Sequence, residues 1–213
     1  IFVFGDGGSD MNVAVTNNSI FQYNFHGISL QFGDEINNGA VYNVTVTGNT
    51  INTPGTLLNN FNGIELNNGT IAATDDFTSC VDIGGAGVGN NVAASGKGAV
   101  APNNSDIRLR QRQGTTVRLP GYVGPVRDNT DFDVAEVAAY LAGRNTLNTA
   151  AGNSVTTGGG FVGGREHGRD GHGGADHGHG PGGGIRARGR PLRHQPPQGH
   201  DPGQDRASCS YHG

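Results

Sequence analysis

The sequence predicts an all-β chain wound as a parallel β-helix of about four coils, with one short capping helix and a disordered C-terminal tail. Three observations predict it. Asn12-Val-Ala-Val-Thr-Asn-Asn-Ser-Ile20 returns 31 residues later as Asn43-Val-Thr-Val-Thr-Gly-Asn-Thr-Ile51, identical at six of nine positions. A second pattern follows each copy, His26-Gly-Ile-Ser-Leu-Gln31 and then Asn62-Gly-Ile-Glu-Leu-Asn67. Only 33% of the residues are apolar, against roughly 45–50% with Gly included in an average domain. Gly fills part of that gap, at 39 of 213 residues. A compact core would be thin on such a composition. A stack of repeats tolerates it, because each turn buries a few Val, Ile and Leu against the next.

Each element follows from its pattern. Ile1-Phe-Val-Phe4 is strand-like and ends in the turn Gly5-Asp-Gly-Gly8. Val13 and Val15 alternate with polar residues, and Ile20 enters after an Asn-rich corner; Ile28, Leu30 and Phe32 alternate again. Val44, Val46 and Ile51 repeat the first set, and Ile64 and Leu66 the second. Alternation with period two gives one buried and one solvated face. Asn and Gly at the corners suit left-handed backbone, and stacked Asn side chains can hydrogen-bond along the stack. The loops 33–40 and 55–60 would project from it.

Two weaker copies come next. Cys80-Val-Asp-Ile83, followed by Gly84-Gly85, is read in the Gly-Ile-x-Leu register, and Val88-Gly-Asn-Asn-Val92 resembles the earlier corner. Asp106-Ile-Arg-Leu-Arg-Gln111 is the next alternating strand, with Ile107 and Leu109 inward. The coils are therefore expected over residues 1–122. An end cover follows over 123–164, containing a helix at 131–143. Asp133 and Glu136 form its capping pair, Val134, Val137, Ala138 and Leu141 its apolar face, and Gly143 its stop. Its expected place is over the last coil.

Residues 165–213 change composition abruptly to Gly, Arg, His, Pro and Asp, too poor in apolar side chains to offset the entropy of ordering. Disorder is the expectation there. The loss of Asn, Val and Thr suggests a shifted reading frame, a hypothesis that resequencing would remove by showing one frame running into the same codons. With no initiator Met and no signal peptide, the chain reads as an internal or C-terminal fragment. The net charge of −4 carries no strong run before residue 160 and disfavours nucleic acid as a partner. No apolar stretch approaches the roughly 18 residues of a membrane span. Cys80 is read as a small buried residue in a strand, and a disulfide with Cys209 is left open.

Thr78-Ser-Cys-Val-Asp-Ile-Gly-Gly85, Asp106-Ile-Arg-Leu-Arg-Gln-Arg112 and Thr115-Thr-Val-Arg-Leu-Pro-Gly-Tyr122 resemble the C-terminal part of large bacterial surface proteins. These are Gly- and Asn-rich, built of β-strand repeats, with a pectin-lyase-like right-handed β-helix. The helix Val134–Leu141 and Arg144-Asn-Thr-Leu147 resemble that family's segment after the last coil. The resemblance covers about residues 10–164. It implies export and display as an adhesin-like stalk and supplies no catalytic residues.

Candidate chemistry is sparse. Asp75-Asp76 is the paired carboxylate a polysaccharide hydrolase or lyase would need. In β-helical hydrolases resembling this fold, the aspartates precede a Gly-His-Gly element and a basic Arg-x-Lys element. Here His26-Gly27 comes first and Arg108–Arg112 holds no Lys. Asp34-Glu35 reads as a solvated loop. Asp6, Asp10, Asp34, Glu35 and Glu65 share no register for calcium, and Gly5-Asp-Gly-Gly-Ser-Asp10 is a single imperfect copy of a calcium repeat. The tail histidines, His167, His172, His177, His179, His194, His200 and His212, are irregularly spaced. His26 is read as isolated, making a corner hydrogen bond. Arg108, Arg110 and Arg112 alternate and so share a face, with Arg118 adjoining; they could hold an anionic glycan or form a solvated basic ladder.

The expectation is a non-catalytic structural or adhesive segment, extracellular or at a bacterial cell surface, with no cofactor and no metal. Its partners would be a cell-surface or matrix polysaccharide or a host surface. The alternative is a polysaccharide-binding or polysaccharide-degrading module.

Overall fold

Short runs of β-branched residues broken by Asn and Gly become short strands that never pair with their sequence neighbours. The computed structural model describes residues 1–6, 8, 10–33, 40–55, 62–69, 75, 77–85, 87–95, 105–112, 115–124, 135–148, 154–158 and 161–164. The first circuit comprises β1 (Phe2–Gly5), β2 (Met11–Thr16) and β3 (Ser19–Phe21). The second comprises β4 (Ile28–Phe32), β5 (Val41–Thr47) and β6 (Thr50–Asn52), and the third β7 (Ile64–Asn68), β8 (Thr78–Ile83) and β9 (Asn91–Ala93). Then follow β10 (Ile107–Gln111), β11 (Thr116–Pro120), helix α1 (Ala135–Arg144), β12 (Thr146–Asn148), β13 (Val155–Gly158) and β14 (Phe161–Gly164).

The chain visits three parallel sheets in rotation. The first sheet has the order β1-β4-β7-β10-β13, the second β2-β5-β8-β11-β14 and the third β3-β6-β9-β12. Every pairing is parallel and joins strands one circuit apart. Val13 lies opposite Val44, and Ile28 opposite Ile64, as the repeats predict. Ile28, Ile64, Ile107 and Val155 form one interior column, and Leu30, Leu66 and Leu109 the next. Val44, Val46, Val81 and Ile83 of the second sheet and Ile51 and Val92 of the third join the same apolar cluster. Phe32 stacks on Tyr42, with ring centroids 5.0 Å apart, and Phe77 meets Tyr42 edge-on at 5.1 Å.

The corner between the second and third sheets is built on Asn. The Asn18 side-chain and backbone N–H groups donate to Asn49 Oδ1 at 2.9 and 3.0 Å. Asn49 donates likewise to Asn90 Oδ1, and Asn90 to Asn145 Oδ1. These bonds satisfy polar groups that the corner would otherwise bury unpaired. Gly48 precedes Asn49 at φ 67°, where a Cβ would run into the Asn17 side chain. At Gly63 a Cβ would strike Val92 and Ser95.

Some expectations need correction. Cys80-Val-Asp-Ile83 does not continue the Gly-Ile-x-Leu set; β8 pairs with β5, placing Val81 on Val44 and Ile83 on Val46. The alternation is the same in both sheets, so it cannot say which sheet a strand joins. Strand pairing also runs past residue 122, through β12, β13 and β14, within the span read as end cover. Helix α1 lies between β11 and β12 and packs against β12 and β13, the last strands of two sheets. Val137 and Leu141 are buried in the core, with Ala138 packed beside them. The helix runs on through Gly143 to Arg144, and Asn145 Nδ2 caps the Leu141 carbonyl at 2.9 Å. Asp133, Val134, Asp34, Glu35, Asp76, the loop residues 34–39 and 56–60, and the tail 165–213 with Cys209 and its histidines lie outside the described residues.

Candidate functional site

The outer face of the first sheet gathers most of the chemistry. Residues that alternate with the interior columns stand on it in two rows across the strands. One row is Phe2, Ser29, Glu65, Arg108 and Thr156; the other is Phe4, Gln31, Asn67, Arg110 and Gly158. The register that stacks aliphatics inside thus stacks functional side chains outside.

Glu65 is the centre of the first row. It is only 3% exposed, and an unpaired carboxylate there would be costly. A histidine and an arginine meet it. His26 Nε2 donates to Oε2 at 3.0 Å and Arg108 Nη1 to Oε1 at 3.2 Å. Burial alone would raise the Glu65 carboxyl, but the His26 hydrogen bond and the charges of His26, Arg108 and Arg110 outweigh it and hold the group below 4.5. His26 reaches Glu65 from the corner before β4, and Phe25 meets its ring edge-on at 5.4 Å. So His26, read from sequence as isolated, bridges two circuits. The signal for this was absent: the partners lie far apart in sequence and meet only through the register.

Of the predicted basic set, Arg108 and Arg110 do share this face. Arg112 lies one residue beyond the end of β10, its N–H bonded to the Asn68 carbonyl at 2.8 Å. Arg118 does not adjoin them; it stands on β11 in the second sheet, opposite Cys80. Cys80 is buried, as read, but beside Val41 in a small cluster apart from the main core. Phe2 and Phe4, 63% and 57% exposed, stack at 6.2 Å with their planes 15° apart at the other end of the rows. The face therefore runs from an aromatic pair through amides and a hydroxyl to guanidinium groups.

A second carboxylate has the opposite character. Asp106 precedes β10 and is fully buried at the corner position that Gly27 and Gly63 occupy in earlier circuits. Burial pushes it up to about 6, with the Ser95 hydroxyl and the Ser95 and Asn148 backbone pulling partly back. Neither oxygen makes a hydrogen bond of good geometry. Ser95 also bonds the Tyr23 hydroxyl at 2.9 Å. Aligning Asp106-Ile-Arg-Leu with the two Gly-Ile-x-Leu segments could have revealed an acid in a glycine column.

Asp75 is buried. Among the described residues no three His, Cys, Asp or Glu side chains cluster as metal ligands, and no helix is long and apolar enough to cross a membrane. Compared with known protein families, with curated proteins and with solved structures, the chain matches none.

Proposed function

We propose that the three sheets close into a right-handed parallel β-helix that serves as a non-catalytic structural and adhesive segment, exported and displayed at a bacterial cell surface. The carrying observation is the unbroken register: each strand pairs only with those one circuit away, around one apolar cluster drawn from all three sheets. Such an assembly makes length and a repeated outer face. Right-handedness is supported by the strong preference of parallel crossover connections for that hand. Surface display rests on the sequence resemblance described above. The carboxylates favour a non-catalytic reading. Glu65 lies between His26 and Arg108, which favour its ionised form, while Asp106, the acid with a raised value, is sealed in a corner. Glycoside hydrolysis wants two carboxyls flanking one sugar, one of them kept protonated. Incubation with pectin, alginate and related polymers should give no turnover. Turnover abolished by Asp75→Ala would reverse the reading.

A second reading, an acidic polysaccharide bound along the outer face of the first sheet, is favoured by one observation. Arg110 and the exposed Phe2–Phe4 pair stand on the same face with amide groups between them. Guanidinium groups suit carboxylates, and aromatic faces suit sugar rings. Binding of polygalacturonate that Arg110→Glu weakens about tenfold or more, the scale of losing a charge-assisted hydrogen bond, would support it; equal binding by both proteins would reject it.

A further inference from the structure

The seam where the chain leaves the third sheet and returns to the first is built differently from the Asn corner. The residues that follow β3, β6 and β9 take left-handed backbone without being Gly: Gln22 at φ 56°, Thr53 at 47° and Ala94 at 60°. Side-chain-bearing residues stay in that region only where their surroundings hold them. Part of the hold is a backbone bond to the next circuit. Gln22 N–H donates to the Thr53 carbonyl at 2.8 Å, and Ala94 N–H to the Asn148 carbonyl at 2.7 Å. A side-chain staple joins the first circuit to the third, where the Tyr23 and Ser95 hydroxyls share a hydrogen bond of 2.9 Å.

Asp106 lies against this staple from the fourth circuit. Its backbone carbonyl accepts the Ile64 N–H at 2.8 Å. Its carboxyl is fully enclosed, and neither oxygen has a hydrogen bond of good geometry. The groups that act on it are the Ser95 hydroxyl and the Ser95 and Asn148 backbone, and Tyr23 is the titratable side chain that feels its charge. None of these is a cation. Nor is there slack beside it: a Cβ on Gly63 would come within 2.8 Å of Ser95 Oγ and 2.9 Å of the Asp106 carbonyl oxygen. A neutral carboxyl fits such a place. An ionised one is costly there until water or further donors reach it. The weakest point beside it is the Ala94–Ser95 turn, whose backbone already departs from the ordinary region.

We infer that Tyr23, Ser95 and Asp106 form a proton-operated latch across this seam, shut while Asp106 holds its proton and opening at the Ala94–Ser95 turn when that proton leaves to solvent. The ladder of Asn18, Asn49, Asn90 and Asn145 at the other corner contains no titratable side chain, so it stays closed while the seam opens. The inference stands on this cluster and not on the proposed function.

Amide exchange, measured site by site on the full chain at low urea, separates a local opening from global unfolding. Ala94 and Ile64 donate across the seam; Asn91 and Thr146 donate to the Asn49 and Asn90 carbonyls and serve as the reference. With Asp106 at about 6 when shut and near 3.8 when open, linkage makes opening about tenfold more frequent at pH 7.5 than at pH 5. Protection at Ala94 and Ile64 should fall by that factor. It should also be insensitive to urea, because a local opening exposes little surface, whereas the reference amides should follow urea-dependent unfolding. In Asp106→Asn the pH dependence at Ala94 and Ile64 should vanish. Tyr23→Phe keeps the acid and removes the staple, and should speed exchange at Ala94 more than at Asn91 at pH 5. The inference is overturned by seam amides that share the urea dependence of the reference, or by protection that does not change with pH. A pH dependence that survives Asp106→Asn, or a Tyr23→Phe variant that exchanges like the parent, would overturn it equally.

Discussion

Replacing Asp106 by Asn should stabilise the fold at neutral pH and leave it unchanged in acid. Asp106 is fully buried between the third and fourth circuits, and its folded value of about 6 stands above an ordinary 3.8. An unfolded chain therefore ionises this group near pH 4, while the folded chain resists until about pH 6. The folded state is favoured by this residue below pH 4, loses that support as pH climbs, and carries the whole penalty above pH 6. At 1.36 kcal/mol for each pH unit of separation, the penalty is at most about 3 kcal/mol. Rearrangement around the carboxylate lowers what the fold feels, so a gain of about 2 kcal/mol is expected from the amide at pH 7. For a chain of this size that is roughly 4–8 °C in Tm. Urea denaturation followed by far-ultraviolet circular dichroism, on both proteins from pH 4 to pH 8, measures it. The difference between the two isolates Asp106 from Glu65, which titrates in the opposite sense. A difference that is flat across this range, or an Asn variant less stable at pH 7, would refute the burial argument.

Three further outcomes are expected. Asn49→Ala removes the side-chain bonds to Val15, Thr47 and Asn90 and the acceptor for Asn18; a loss of about 2–4 kcal/mol follows from leaving such groups unmet, measurable by denaturant titration. Glu65→Gln leaves His26 and Arg108 without their anion and should cost about 1–3 kcal/mol at pH 7. Because the folded carboxyl lies below 4.5, its contribution is present above that value and fades as pH falls through the folded one, so the two proteins should converge in acid. Gly63→Ala drives a methyl into Val92, Ser95 and the Asp106 carbonyl, and about 1–3 kcal/mol of overpacking strain should lower the melting temperature.

The first two circuits are legible because one 31-residue offset aligns both β2 with β5 and β3 with β6. Later ladder steps are 41 and 55 residues. The longer connections shift the second and third sheets by different amounts, and a single period then fails. That is why the pattern of Cys80–Ile83 points to the first sheet while β8 pairs with β5 in the second. Within each strand the inward residues were right, since Ile107 and Leu109 are fully buried as alternation requires. The site was less visible. Arg108 and Arg110 follow from period two alone, but the pairing of Arg108 with Glu65 depends on which strand lies beside β10. The His26 contact depends on the same register. Arg118 was misplaced because a polar corner between β10 and β11 turns the chain onto another sheet.

The one-way succession of asparagine amides has a mechanical consequence. Their dipoles point along a common axis, so the two ends of the stack are polarised differently even where their side chains are alike. Tension applied at the termini would load these links one after another, each shielded by the rungs behind it. Rupture should then advance stepwise from rung to rung, giving a sawtooth of small force peaks where a globule would give one.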